Sequence, residues 1–432
     1  MGASPSSAFL ADLTYGFPVT ISALPIRIDV TTLAFETPED LFSLLPSQSP
    51  LSWVRSGEGL VAYGEYARLE VSGPDRFSEA SAWWRDQLRT FRTHDNVRES
   101  GTGPIAFGSF SFSESDTSVL IIPEVIIGRR GDKSWITTIG SPIMQTDAPY
   151  LTERNYTLTW GEGARSAVSW QGAVANAVRR IQSGALDKVV LARDVQAIAS
   201  KPIDVRRLMA KLAENYPKTW IFAVDNLVGA TPELLVRLTK GLVTSRVLAG
   251  TIRRSGDDER DLALAGSLAR SSKDLEEHDY AVRSVADALA PFCSSMNVNE
   301  APFVLHLANV MHLATDVNGV LADSLSTRDT LSLVQALHPT AAVCGTPTAT
   351  ARDLILEIEG LNRGRYAGPV GWIDATGDGE WGIALRCAEI SEEDPRKIRL
   401  FAGCGIVAGS IPDEELAESQ AKLLPMRDAL EG

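Results

Sequence analysis

The stretch from Tyr366 to Gly403 restricts the fold most. Tyr366-Ala-Gly-Pro-Val-Gly-Trp372, Glu380-Trp-Gly-Ile-Ala-Leu-Arg-Cys387 and Ile398-Arg-Leu-Phe-Ala-Gly403 follow one another with no helical pattern between them. Each is short, apolar and bounded by turn residues, so they read as consecutive strands. Earlier segments repeat the habit: Lys188 to Arg193, Thr219 to Asp225, Gly229 to Leu238 and Val247 to Arg254 cluster as strands. They do not alternate regularly with helices. That favours an α+β class with mainly antiparallel sheets over a doubly wound fold.

A chain of 432 residues with 44% hydrophobic and 22% charged residues can build a sizeable core. Its net charge of -14 argues against a nucleic-acid surface. No run of about 18 apolar residues is present, so no membrane span is expected. Met1 to Tyr15 has no basic n-region, and Cys293, Cys344, Cys387 and Cys404 lack C-x-x-C spacing. A reduced, cytoplasmic protein without a zinc site is expected, and a monomer. Residues 1–165 show short strands and one helix-like run, Phe77 to Phe91, and no chemical constellation. They read as a variable part of the scaffold, and residues 166–432 as the catalytic region, within one continuous structural domain.

Two helices carry paired acids. In Ser410-Ile-Pro-Asp-Glu-Glu-Leu-Ala-Glu-Ser-Gln-Ala-Lys422, Pro412 suits a first turn, Ser410 a cap, and Glu415, Glu418 and Lys422 share a face. In Lys273-Asp-Leu-Glu-Glu-His-Asp-Tyr280, Asp274 and Glu277 are also three apart. Two such pairs could clamp a hard divalent cation such as Mg2+, or could be solvated acidic faces. Lys188, beside Val189-Val190-Leu191, could be a general base in a desolvated cavity or an edge-strand lysine. Glu233, at the mouth of an apolar strand, could be a general acid or a surface glutamate. Arg386 could capture a carboxylate or form a structural ion pair, and His312 could donate to a ligand or be a packed core histidine. Gly403-Cys-Gly-Ile-Val-Ala-Gly409 imitates a dinucleotide loop, but its spacing is wrong and too little chain follows.

The chain from about residue 165 to 430 resembles the chorismate-utilising enzymes, a group that includes isochorismate, salicylate, anthranilate and aminodeoxychorismate synthases. The resemblance rests on ordered segments. Leu186-Asp-Lys-Val-Val-Leu-Ala-Arg193, Thr231-Pro-Glu-Leu-Leu235, Leu248-Ala-Gly-Thr251 and Lys273-Asp-Leu-Glu-Glu-His278 come first. His312-Leu-Ala-Thr315, His338-Pro-Thr340, the three strand segments above and Glu415 to Lys422 follow. It implies large sheets packed face to face with helices outside, chorismate as substrate and Mg2+ as cofactor. By this likeness Glu277 and Glu418 would be direct Mg2+ ligands, supported by Asp274 and Glu415. Arg386 and Lys422 would hold substrate carboxylates, with Tyr366, His312 and the backbone near Gly250, Thr251 and Gly403. Lys188 stands where ammonia-using members have glutamine, which implies water as the nucleophile. Ala342 stands where members that eliminate pyruvate have threonine, which implies a reaction that stops at isochorismate. Cys404 departs from the alanine frequent between these two glycines. A salicylate synthase and a catalytically silent paralogue are the alternatives.

Overall fold

The computed structural model describes residues 27–144, 149–150, 153–322 and 329–432, with the side chains of Lys273 and Glu277 outside the described set. Among the described residues, thirteen strands form one sheet and ten form a second. One strand pair is parallel, Ile28–Ala34 with Phe91–Asp95, and the other pairings are antiparallel. The architecture is α+β, with the sheets sharing one core and helices on their outer faces.

The three segments expected as consecutive strands form Pro369–Asp374, Gly379–Ile383, Cys387–Ile390 and Lys397–Ile406. They do not stay in one sheet. The first two pair with each other in the second sheet, and the last two pair in the first. The chain therefore crosses between sheets at Ala384-Leu385-Arg386. It crosses a second time at Pro232-Glu233, between Leu227–Thr231 of the first sheet and Leu234–Thr239 of the second. The crossings are tied together: Ala230 N donates to Arg386 O at 3.1 Å, and Ile383 N donates to Glu233 O at 3.2 Å. Burying these loops is tolerable because their backbone groups find partners.

The first part of the chain completes both sheets. Leu51–Arg55 pairs with Trp220–Val224, and Ile105–Ser109 pairs with Pro369–Asp374. Pro123 cannot donate to a ladder, and the apolar run around it splits into Ser118–Ile122 of the second sheet and Val125–Arg130 of the first. Phe107, Trp170, Phe222 and Trp381 are fully buried in the shared core, each contributing about 1.5–3 kcal/mol by leaving water.

The helix Arg76–Thr90 fits its expected span, and Val205–Asn215 is capped by the Asp204 carboxylate, which accepts from Arg206 N at 3.0 Å. One expectation needs correction. Ser410 does not cap the last helix, Pro412–Glu431; its hydroxyl accepts from Val407 N at 3.1 Å and donates to Glu415 Oε1 at 2.6 Å. The strands Phe303–His306 and Val310–Leu321 are joined by a turn in which Leu307 N donates to Val310 O. A further helix spans Thr348–Ile358. No helix among the described residues is long and apolar enough to cross a membrane.

Candidate active site

The cleft lies where the chain passes between the sheets, and has a volume of about 270 Å³. Lys188, Glu233, Gly250, Thr251, Asp274, His312, Ala342, Tyr366, Arg386, Gly403, Glu415, Glu418 and Lys422 all line it. Glu277 is on the helix Ser272–Leu289, one turn after Asp274; its side chain lies outside the described residues.

Each wall follows from local structure. Lys188 opens the strand Lys188–Ala199, which pairs with Lys397–Ile406 so that Ala192 faces Gly403. This antiparallel ladder is also why Gly403-Cys404-Gly405 is no dinucleotide loop. Gly403 is a close-approach position: a Cβ there would stand 2.9 Å from Tyr366 Oη. Tyr366 is held by stacking on Phe401, with ring centroids 5.0 Å apart and planes 9° apart. On the facing sheet, Leu242–Arg253 carries a bulge between Ala249 and Thr251, with Gly250 at φ +77°. The bulge turns Thr251 toward His312, whose Nδ1 is 2.9 Å from Thr251 Oγ1. Arg386 holds a positive φ of 49°, a left-handed conformation uncommon for a residue with a Cβ and typical of functional loops.

Electrostatics separates the titratable groups. Glu233 sits in the inter-sheet crossing with 6% of its surface exposed. Burial pushes its carboxyl up to about 8, against the pull of Lys188, Lys422 and Arg386. The acid is therefore protonated at neutral pH. Burial also drives His312 well below the usual histidine range, helped by Arg386 and Lys422, so the ring is neutral. Its Nε2 has no hydrogen-bond partner among the described residues. Lys422 donates to Gly403 O at 2.9 Å and pairs with Glu418 at 2.6 Å. Glu418 also loses solvent, which would raise its carboxyl, yet Lys422 and Arg386 bring it below the ordinary value.

Three carboxylates that line the cleft are of a kind that suits a hard cation. Asp274 comes from one helix, and Glu415 and Glu418 from another. Oxygens of Glu415 and Glu418 and the Cys404 sulfur lie within 4.8 Å of one another. The thiol is a poor member of an oxygen set: it donates to Glu415 O at 3.2 Å, and burial holds it far above the usual thiol range. The carboxylates thus fit Mg2+ without the sulfur.

The sequence model of the family described as "Chorismate binding enzyme" matches residues 47–155 and 143–431. The chain belongs to the chorismate-binding enzyme family. Among its relatives, this chorismate-binding enzyme is 42% identical over 373 residues to isochorismate synthase DhbC of Bacillus subtilis, covering 84% of this chain and 88% of that protein. It is 28% identical to isochorismate synthase EntC of Escherichia coli, covering 92% and 98%. The solved structure of DhbC from Bacillus anthracis superposes with a TM-score of 0.76 at 34% identity, over 91% of this chain and 99% of that one. MenF, the menaquinone-specific isochorismate synthase from Escherichia coli, superposes at 0.78 with 24% identity over 93% and 94%, a likeness of fold alone.

The site of this chorismate-binding enzyme also contains a support that motif reading passes over. Arg363 is buried at the back of the cleft and forms a two-pronged pair with Glu359, at 2.7 and 2.6 Å. Two further N–H groups donate to Val343 O at 3.0 Å and Val190 O at 2.8 Å. The other side of the pair is closed by Ala192 N, which donates to Glu359 at 2.8 Å. One ion pair thereby ties the Lys188 strand to the Ala342 loop. The i, i+4 spacing was visible in the sequence; its burial was not.

Proposed function

We propose that the chain is an isochorismate synthase, converting chorismate to isochorismate with Mg2+ as cofactor. The single observation that carries the chemistry is the opposed pair in one cleft: a lysine, and a buried glutamate that stays protonated to about pH 8. Lys188, in its neutral form, takes a proton from the water that attacks C2 of the ring. Glu233 donates its proton to the hydroxyl leaving C4. Arg386 and Lys422 hold the substrate carboxylates, and Tyr366, the His312 Nε2 and the backbone at Gly250, Thr251 and Gly403 fix its orientation. Glu277 and Glu418 would hold Mg2+, with Asp274 and Glu415 in support. When bound, the metal neutralises the ring carboxylate and stabilises charge that shifts through the conjugated system.

Glu233 sits in a crossing loop whose backbone carbonyl accepts from Ile383 N, so its main chain is anchored where the two sheets meet, which supports the reading. Water as nucleophile is read from Lys188, and the absence of pyruvate elimination from Ala342. The enzyme is read as a cytoplasmic monomer; its four cysteines are free thiols, as a reducing compartment keeps them. Product analysis with chorismate, in the presence and absence of Mg2+ and ammonia, tests the assignment.

A further inference from the structure

The helix Ser272–Leu289 carries Asp274, which lines the cleft, and Glu277 one turn later. Its later turns are held by apolar packing: Val282, Val285 and Leu289 are buried in the shared core. Nearer the carboxylates, Leu275 packs against the small cluster of Leu268, Met311 and Leu313. Such packing is non-directional and leaves a helix room to rotate or slide.

The directional link is His278. It follows Asp274 by one turn and Glu277 by one residue, and it is 2% exposed. Its two ring nitrogens are engaged on two different strands. Nδ1 is 3.2 Å from Ala249 O, and Nε2 is 2.8 Å from the buried Thr315 Oγ1. A carbonyl only accepts, so Nδ1 is the donor to Ala249. Ala249 opens the bulge whose next residues, Gly250 and Thr251, line the cleft, and Thr315 lies on the strand of His312. Bulge and helix also touch: a Cβ at Gly250 would stand 3.2 Å from Asp274 Cβ. A ring buried this deeply is costly unless both nitrogens are satisfied, so the helix is favoured in the placement that satisfies them. We propose that His278 is a positioning residue, which locks the helix of the metal-binding carboxylates to the Ala249–Thr251 bulge and so sets the metal affinity of the cleft. The proposal rests on the reading of the cleft as a Mg2+-dependent chorismate site, and His278 acts in it through Asp274, Glu277 and the bulge.

Mn2+ is the probe, standing in for Mg2+. Its binding to the full-length protein is titrated by electron paramagnetic resonance for the wild type, His278→Leu, His278→Asn and Thr315→Val, with thermal melts and the Mg2+ dependence of chorismate turnover followed alongside. His278→Asn keeps a donor as many bonds from Cα as Nδ1, whereas His278→Leu removes both links. Mn2+ affinity should fall about tenfold in His278→Leu, the scale of outer residues that orient metal ligands, and recover to within about threefold of wild type in His278→Asn. Thr315→Val keeps the shape and removes the hydroxyl, and should cost several-fold. The Mg2+ concentration for half-maximal turnover should rise in the same order, with kcat at saturating Mg2+ changing less. A histidine that only stabilises the fold would lower the melting midpoint and leave the Mn2+ affinity of folded protein unchanged. Unchanged affinity in folded His278→Leu, or an asparagine variant no better than the leucine variant, would overturn the proposal; if His278→Leu does not fold, unchanged affinity in Thr315→Val overturns it. Wild-type protein that binds no Mn2+ would refute the Mg2+ reading and the proposal together, whereas wild-type binding with unaltered variants refutes the proposal alone.

Discussion

Replacing Glu233 by glutamine removes one proton and changes almost nothing in shape, which makes it the sharpest probe of the general acid. The wild-type carboxyl is raised from 4.5 to about 8 by burial. Such a shift corresponds to a bias on the order of 5 kcal/mol against the ionised form. Linkage gives the sign. Between pH 4.5 and about 8 the folded chain keeps a proton that the unfolded chain has released. This group's contribution to stability is therefore full below 4.5 and is lost as pH rises through about 8. Between pH 6 and 7.5 the loss is about 2 kcal/mol. Glu233→Gln has no proton to lose, so its stability relative to wild type should improve by about that amount over the same interval. Turnover should move the other way. Without the donor, kcat should fall by about 10²- to 10⁴-fold with little change in KM. In the wild type, kcat should decline as pH rises through about 8, because the acid form disappears. Denaturant melts of both proteins at the two pH values, with steady-state kinetics across pH, make the assay. A stability difference that does not depend on pH would refute the buried, protonated carboxyl, and a kcat within a few fold of wild type would refute its role as acid.

Lys188→Ala should abolish turnover while far-ultraviolet circular dichroism and melting temperature stay near wild type; substantial activity in the purified variant removes Lys188 from the base role. Gly403→Ala puts a Cβ 2.9 Å from Tyr366 Oη, so kcat/KM for chorismate should drop about tenfold or more with a modest change in stability. Arg363→Met leaves Glu359 buried without its partner, and should lower stability by about 3–5 kcal/mol in a denaturant melt. An unchanged midpoint there would mean that the pair does not tie the Lys188 strand to the Ala342 loop.

Strand segments were legible because each carries its own turn residues and apolar run, as Lys188–Ala199 and Trp220–Val224 show. Sheet membership was not. Leu51–Arg55 pairs with Trp220–Val224, and nothing local in either segment encodes a partner so distant. The two crossings at Glu233 and Arg386 were equally hidden, although they explain why an acid and a cation meet between sheets. Spacing on the last helix identified a shared face for Glu415, Glu418 and Lys422, and left open whether water or protein covers it. The fold answers this by laying that helix along Lys397–Ile406, so that Lys422 reaches Gly403 O. Ser410 misled as a cap because its hydroxyl is used by Glu415 instead. Most roles in the cleft were read through ordered family motifs; composition and periodicity alone stop at a base, an acid and an acidic clamp.

The most direct measurement is chromatographic: purified protein incubated with chorismate and Mg2+, first without ammonia and then with it. Isochorismate approaching equilibrium with chorismate, unaffected by ammonia and abolished by chelation of the metal, is the predicted result. Salicylate with pyruvate, an amino product that requires ammonia, or no consumption of chorismate by folded, metal-loaded protein would contradict it.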